Sequence, residues 1–150
     1  QARHASTLRG HGARFLSGVA HHDPSPDIRL KAIFSLSQND GPGAVPAIID
    51  VAKTDRDPDV RSQALFWLAQ SGAEQAPKVI LARLDEDPSL EVRKQAVFAI
   101  TQLRKGQSVP LLVRIASERR DREIRQQAIF WLGQSTDPRA TDFFAKVLGQ

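Results

Sequence analysis

Four stretches of this chain carry apolar residues at a four-residue spacing: residues 27–38 (DIRLKAIFSLSQ), 59–70 (DVRSQALFWLAQ), 91–102 (EVRKQAVFAITQ) and 123–134 (EIRQQAIFWLGQ). Each begins 32 residues after the one before, and an acid, a β-branched residue, Arg, Ala, Phe and Gln recur at the same places in all four. Ile28, Ala32 and Leu36, with Ser35 or its equivalents Trp67, Ala99 and Trp131 on the same side, make the stripe of an amphipathic helix, here helix A. Ser25-Pro26, Asp57-Pro58 and Asp87-Pro88 put an oxygen-bearing cap ahead of a proline in the first turn. Asp27, Asp59, Glu91 and Glu123 then lie at the positive end of the helix dipole. A turn with Gly41 and Gly43, with Gly72, with Gly106 or with Asp137-Pro138 ends each helix.

A shorter apolar pattern follows every turn: VPAIIDVA from Val45, APKVILARL from Ala76, VPLLVRIA from Val109 and TDFFAKVL from Thr141. These predict a helix B, with Pro46, Pro77 and Pro110 in the first turn, where a missing N–H does little harm. ARFLSGVA from Ala13 reads as the helix B of a unit whose helix A is degenerate or cut away. One helix pair of this size cannot bury its apolar face, whereas stacked pairs share a continuous core. The expected fold is therefore all-α, a right-handed α-solenoid of helix pairs. An incomplete unit occupies residues 1–22, and four repeats follow at about 23–54, 55–86, 87–118 and 119–150, forming one continuous domain. On a helical wheel Ile28, Ala32, Ser35 and Leu36 face helix B, while Ile33 and Phe34 fall on opposite flanks, where adjacent repeats touch.

The phrase D-x-V-R-x-x-A-hydrophobic-x-A-L, followed by a turn and V-P-x-hydrophobic-hydrophobic, resembles the HEAT repeat over about residues 13–150. It is closest in style to the short bacterial type also found in phycobilin lyases. The resemblance implies A helices on the convex side, B helices on the concave side, and a ladder of ion pairs between repeats. Carried to matching positions, that ladder comprises Asp27, Asp59, Glu91 and Glu123 with Arg29, Arg61, Arg93 and Arg125. Two features depart from the family pattern: Phe34, Phe66, Phe98 and Phe130 replace a polar residue, and Trp67 and Trp131 stand where Ala is usual.

The net charge of +4 suggests nucleic acid until it is divided along the chain. Three of the 21 bases, Arg3, Arg9 and Arg14, and none of the 17 acids fall in residues 1–22, which leaves 18 bases against 17 acids in the repeats. No apolar run is long enough for a membrane span and no signal peptide is apparent, so a soluble chain is expected. Cysteine is absent, which leaves cytoplasm and periplasm both open. Methionine is absent even at position 1, as expected of a piece of a longer or processed product.

Catalysis would need a nucleophile with its base, a metal set, a phosphate-binding Gly-rich loop or an isolated acid pair, and none of these is apparent; neither an enzyme nor a cofactor is expected. His4, His11, His21 and His22 match no metal-ligand spacing and read as solvated groups near a chain end. The four ladder arginines could grip phosphate, but the acid two residues ahead of each accounts for them by ion pairing. The Phe series with Trp67 and Trp131 is a candidate aromatic surface for a peptide or bases, against which stands packing between repeats. Gln38, Gln70, Gln102 and Gln134 are placed to bridge repeats.

The functional expectation is a non-catalytic scaffold or adaptor that binds a protein or peptide partner. Its candidate contacts on the concave B helices are Asp50, Lys53, Lys78, Arg83, Arg114, Glu118, Asp142 and Lys146. Nucleic-acid binding through Lys53, Lys78, Arg83, Arg114 and Lys146 is the alternative, weakened by the near-neutral repeats. An accessory role like that of a bilin lyase rests on repeat type alone. Uncapped apolar ends would also allow copies to associate end to end.

Overall fold

The computed structural model describes residues 2–104 and 106–149, the side chains of Ala2, His4 and Ser6 excepted. Nine α-helices and no strands occur among them: α1 (Ala2–His22), α2 (Pro26–Ser37), α3 (Ala44–Thr54), α4 (Pro58–Gln70), α5 (Ala76–Glu86), α6 (Leu90–Thr101), α7 (Ser108–Glu118), α8 (Arg122–Gly133) and α9 (Pro138–Leu148). The A pattern forms α2, α4, α6 and α8, and the B pattern forms α3, α5, α7 and α9. Helix α1 takes in ARFLSGVA and continues back to Ala2, well beyond the apolar pattern that predicts it.

Capping fixes where the A helices start. Ser25 Oγ accepts from the Ile28 amide, Asp57 from Asp59 and Val60, Ser89 from Val92, and Asp121 from Glu123 and Ile124. Each pairing satisfies an amide that the first helical turn leaves without a partner. The third copy differs from the sequence expectation: Ser89, not Asp87, caps α6, and Pro88 lies outside the helix. At the other end of α4 the chain turns through Gly72 at a φ of 69°, where a Cβ would lie 2.6 Å from the Arg104 guanidinium.

The A helices touch in the order α2, α4, α6, α8, making one layer, and α3, α5 and α7 each lean most extensively on the A helix that follows. The result is an all-α solenoid. Its core runs between the layers without interruption: Leu36, Leu68, Ile100 and Leu132 from the A layer meet Ile48, Ile80 and Leu112 from the B layer, all buried.

Equivalent residues differ in burial according to their neighbours. Val60, Val92 and Ile124 are buried, but Ile28 at the same position is 44% exposed, because no A helix precedes α2 among the described residues. Conversely, Ile33, Leu65 and Val97 are buried and Ile129 is 41% exposed, because no A helix follows α8 among the described residues. Position 28 therefore faces the preceding repeat as well as helix B, and position 33 faces the next one.

Two substitutions at this one position separate the effects. Leu65→Ala, in the middle of the stack, should cost about 2–5 kcal/mol, and Ile129→Ala, at its edge, less than about 1 kcal/mol; urea denaturation measures both.

Candidate functional site

The inter-repeat ladder exists, but its acids are not those expected. Arg29 is buried, and its Nε and Nη2 chelate the Asp55 carboxylate at 3.0 and 3.2 Å. Arg61 holds Asp87 in the same way at 2.9 and 3.1 Å. Both acids lie in the turn ahead of the next A helix, 26 residues beyond the arginine. Asp27 and Asp59, the expected partners, are exposed and make no ion pair among the described residues. They point away because the first helical turn faces solvent, whereas an arginine on the inner side of α2 or α4 reaches the following turn.

The other end of each arginine is held as well. Nη1 donates to the carbonyl six residues back in all four copies: Arg29 to Asp23, Arg61 to Asp55, Arg93 to Asp87 and Arg125 to Arg119. The chelated carboxylates also accept backbone amides, Asp55 from Asp57 and Asp87 from Ser89. Buried charge is tolerated here because nearly every lone pair and N–H has a partner. Glu91 and Glu123 serve elsewhere: Lys94 on α6 lies 3.7 Å from Glu91 and 3.1 Å from Glu123 on α8. The hydrogen bond to Glu123 is the largest cause holding the Lys94 ammonium above its ordinary pKa.

The Phe series forms a continuous string across the A layer. Trp67 lies edge-on to Phe34 at 5.2 Å and to Phe66 at 4.9 Å, Phe66 stacks on Phe98 at 6.0 Å, and Trp131 contacts both Phe98 and Phe130. Each Trp reaches back to the Phe of the preceding repeat, and where Ala99 takes its place the phenylalanines stack directly. Packing between repeats thus engages Phe34, Phe66, Phe98, Trp67 and Trp131, and Phe130 meets Trp131 of its own helix; Phe34 and Phe130 at the ends stay 49% and 54% exposed. Beside the string Gln70 donates to Gln102 at 2.8 Å, an amide bridge of the expected kind.

On the B layer Asp50, Lys53, Lys78, Arg114, Glu118, Asp142 and Lys146 are exposed. Asp50 lies 3.8 Å from His21, and Arg114 lies 3.9 Å from Glu118. Arg83 does not belong with them. It occupies the position held by Val51 and Ile115 in neighbouring repeats, so its side chain runs inward, with Nη1 3.8 Å from Asp87 and Nη2 donating to Glu86. The repeat register was the available signal for that placement.

A groove of about 470 Å³, not foreseen from the sequence, opens between α7 and α9. Val109, Val113, Phe143 and Val147 line its apolar wall, and Arg139, Asp142 and Lys146 supply its charges. Helix α9 begins at Pro138, two residues early against the 32-residue register of α3, α5 and α7, and no A helix follows it among the described residues, so that Val147, equivalent to the buried Val51 and Ile115, is 56% exposed. Helix α9 packs on α7 and scarcely touches α8. Asp137 chelates Arg139 at 2.8 and 3.1 Å, and that hydrogen bonding keeps the guanidinium pKa raised.

Comparison with protein families gives a match to the model described as HEAT repeats, over residues 13–89 and 77–150. The chain belongs to the HEAT repeat family. No curated protein matches it. HEAT repeats commonly mediate protein–protein interaction, and proteins built from them are generally non-catalytic scaffolds. Among the described residues no helix is long and apolar enough to cross a membrane. The N-terminal histidines are partly structural: His21 Nδ1 donates to the Ser17 carbonyl at 2.7 Å, His11 and His22 are exposed, and the His4 side chain lies outside the described residues.

The two acids of the second HEAT repeat boundary make opposite predictions. Asp87→Ala leaves the Arg61 guanidinium buried and uncompensated and should cost about 3–5 kcal/mol. Asp59→Ala, removing an exposed helix-start acid, should cost less than about 1 kcal/mol; guanidinium chloride midpoints distinguish them.

Proposed function

We propose that this chain is a non-catalytic scaffold that holds a protein partner on its B layer, the face HEAT solenoids turn inward. The groove between α7 and α9 is the principal contact. What supports the reading is the composition of that groove, an apolar wall of valines and Phe143 with Asp142 and Lys146 at its edge. Protein interfaces have such a dry centre and polar rim.

Charge supports a protein over a nucleic acid. Acids and bases interleave along the B layer, Asp50 by His21, Glu118 by Arg114, Asp142 near Lys146, and Arg83 is withdrawn into the repeat boundary. Phosphate neutralisation favours an unbroken basic stripe, which these residues do not form.

A photo-crosslinking residue at Ser117, in the groove, and another at Lys31, on the A layer, identify the face in contact when the partner is captured in cells. Lys146→Glu and Val147→Asp should then weaken the captured partner at least about tenfold, roughly 1.4 kcal/mol, without lowering the unfolding temperature. Crosslinks confined to Lys31, with groove variants binding normally, would sink the assignment.

A further inference from the structure

The ladder of arginines and turn carboxylates breaks at its third step. Asp23, Asp55 and Asp87 occupy one position of the 32-residue period, and each accepts the amide two residues on, from Ser25, Asp57 and Ser89, at 2.8–2.9 Å. The fourth residue of that series is Arg119. Arg93 therefore has no carboxylate 26 residues ahead. Its Nη1 donates to the Asp87 carbonyl at 2.7 Å, as in the other copies, but Arg93 makes no ion pair among the described residues. The Asp121 amide likewise lacks the carboxylate that its three counterparts bind. Arg119 has turned aside to Asp85 on α5, with Nε 2.9 Å from Oδ1.

The space left open is a pocket of about 190 Å³ lined by Arg93, Asp121, Arg119, Arg120 and Asp85, with Leu84 and Ile124 closing its apolar side. Three guanidinium groups against two carboxylates leave it positive, and of those carboxylates Asp85 is engaged by Arg119 and Asp121 by the α8 amides. The two intact steps define what fits: a pair of oxygens across the Arg29 or Arg61 fork at 2.9–3.2 Å, one of which also takes a backbone amide. A guanidinium fork is matched by a carboxylate or a phosphate.

We infer that this vacated rung is an oxyanion-binding site, in which Arg93 chelates a carboxylate-type anion from outside the chain and the Asp121 amide binds one of its oxygens. The pocket admits an anion larger than an aspartate side-chain carboxylate, so free anions and an acidic side chain both satisfy the geometry. The site lies on the turn between α7 and α8, apart from the α7–α9 groove, and does not rest on the partner assignment.

The test uses the whole chain labelled with nitrogen-15, titrated with acetate, inorganic phosphate and chloride at constant ionic strength. The Asp121 amide and the Arg93 Nε–H should shift saturably with acetate and phosphate and not with chloride. An acidic peptide, compared with its amidated version, shows whether a side-chain carboxylate also enters. Both saturable shifts should vanish in Arg93→Gln. They should vanish too in Arg119→Asp, which supplies the carboxylate from within and should raise Tm by roughly 2–4 °C. Equal shifts with chloride, retention of acetate and phosphate binding in the two variants, or a lower Tm in Arg119→Asp would each overturn the proposal.

Discussion

The first two repeat boundaries are each tied by an arginine held at both ends. The Arg29 guanidinium donates backward to the Asp23 carbonyl and forward to the Asp55 carboxylate, and Arg61 does the same with Asp55 and Asp87. One side chain thus sets the distance between consecutive turns, and the turns set where the A helices start. With that spacing fixed, Ile33, Leu65 and Val97 meet the helix ahead and Val60, Val92 and Ile124 the helix behind. Apolar burial supplies most of the drive to stack, but it is non-directional; at the first two boundaries the ion pairs add a directional tie between consecutive turns.

The same rule explains the irregularities. Where the acid becomes Arg119, the tie is lost and a positive pocket opens. Where Val or Ile becomes Arg83, a second cation is brought within 3.8 Å of Asp87, beside the Arg61 pair. Where no A helix follows α9 among the described residues, its apolar side stays open and a groove lies along α7. Function in a repeat protein is most readily sought at such breaks in the period, because everything that repeats without change is accounted for by stacking.

Much of this was legible in the sequence. The 32-residue period, the A and B helices and the family follow from the recurrence of Ile28, Arg29, Ala32, Phe34 and their equivalents. The ladder arginines were legible as structural, but their acids were not: Asp27 and Asp55 both lie near a helix start, and only the direction of the Arg29 side chain decides between them. The inward course of Arg83 was readable by aligning it with Val51 and Ile115. The α7–α9 groove was not readable, since it depends on how far apart α7 and α9 stand, which the apolar pattern does not fix. The Phe series was readable as flank packing, while the use of Trp67 and Trp131 as bridges between alternate repeats required the ring geometry.

The most direct measurement is a double-mutant cycle on Arg61 and Asp87, by equilibrium denaturation of the two single alanine variants and the double variant. A boundary held by this pair predicts a coupling energy of at least about 2 kcal/mol, the double variant being scarcely less stable than the worse single one. Additive losses, with coupling near zero, would contradict the account and leave apolar packing alone to set the repeat spacing.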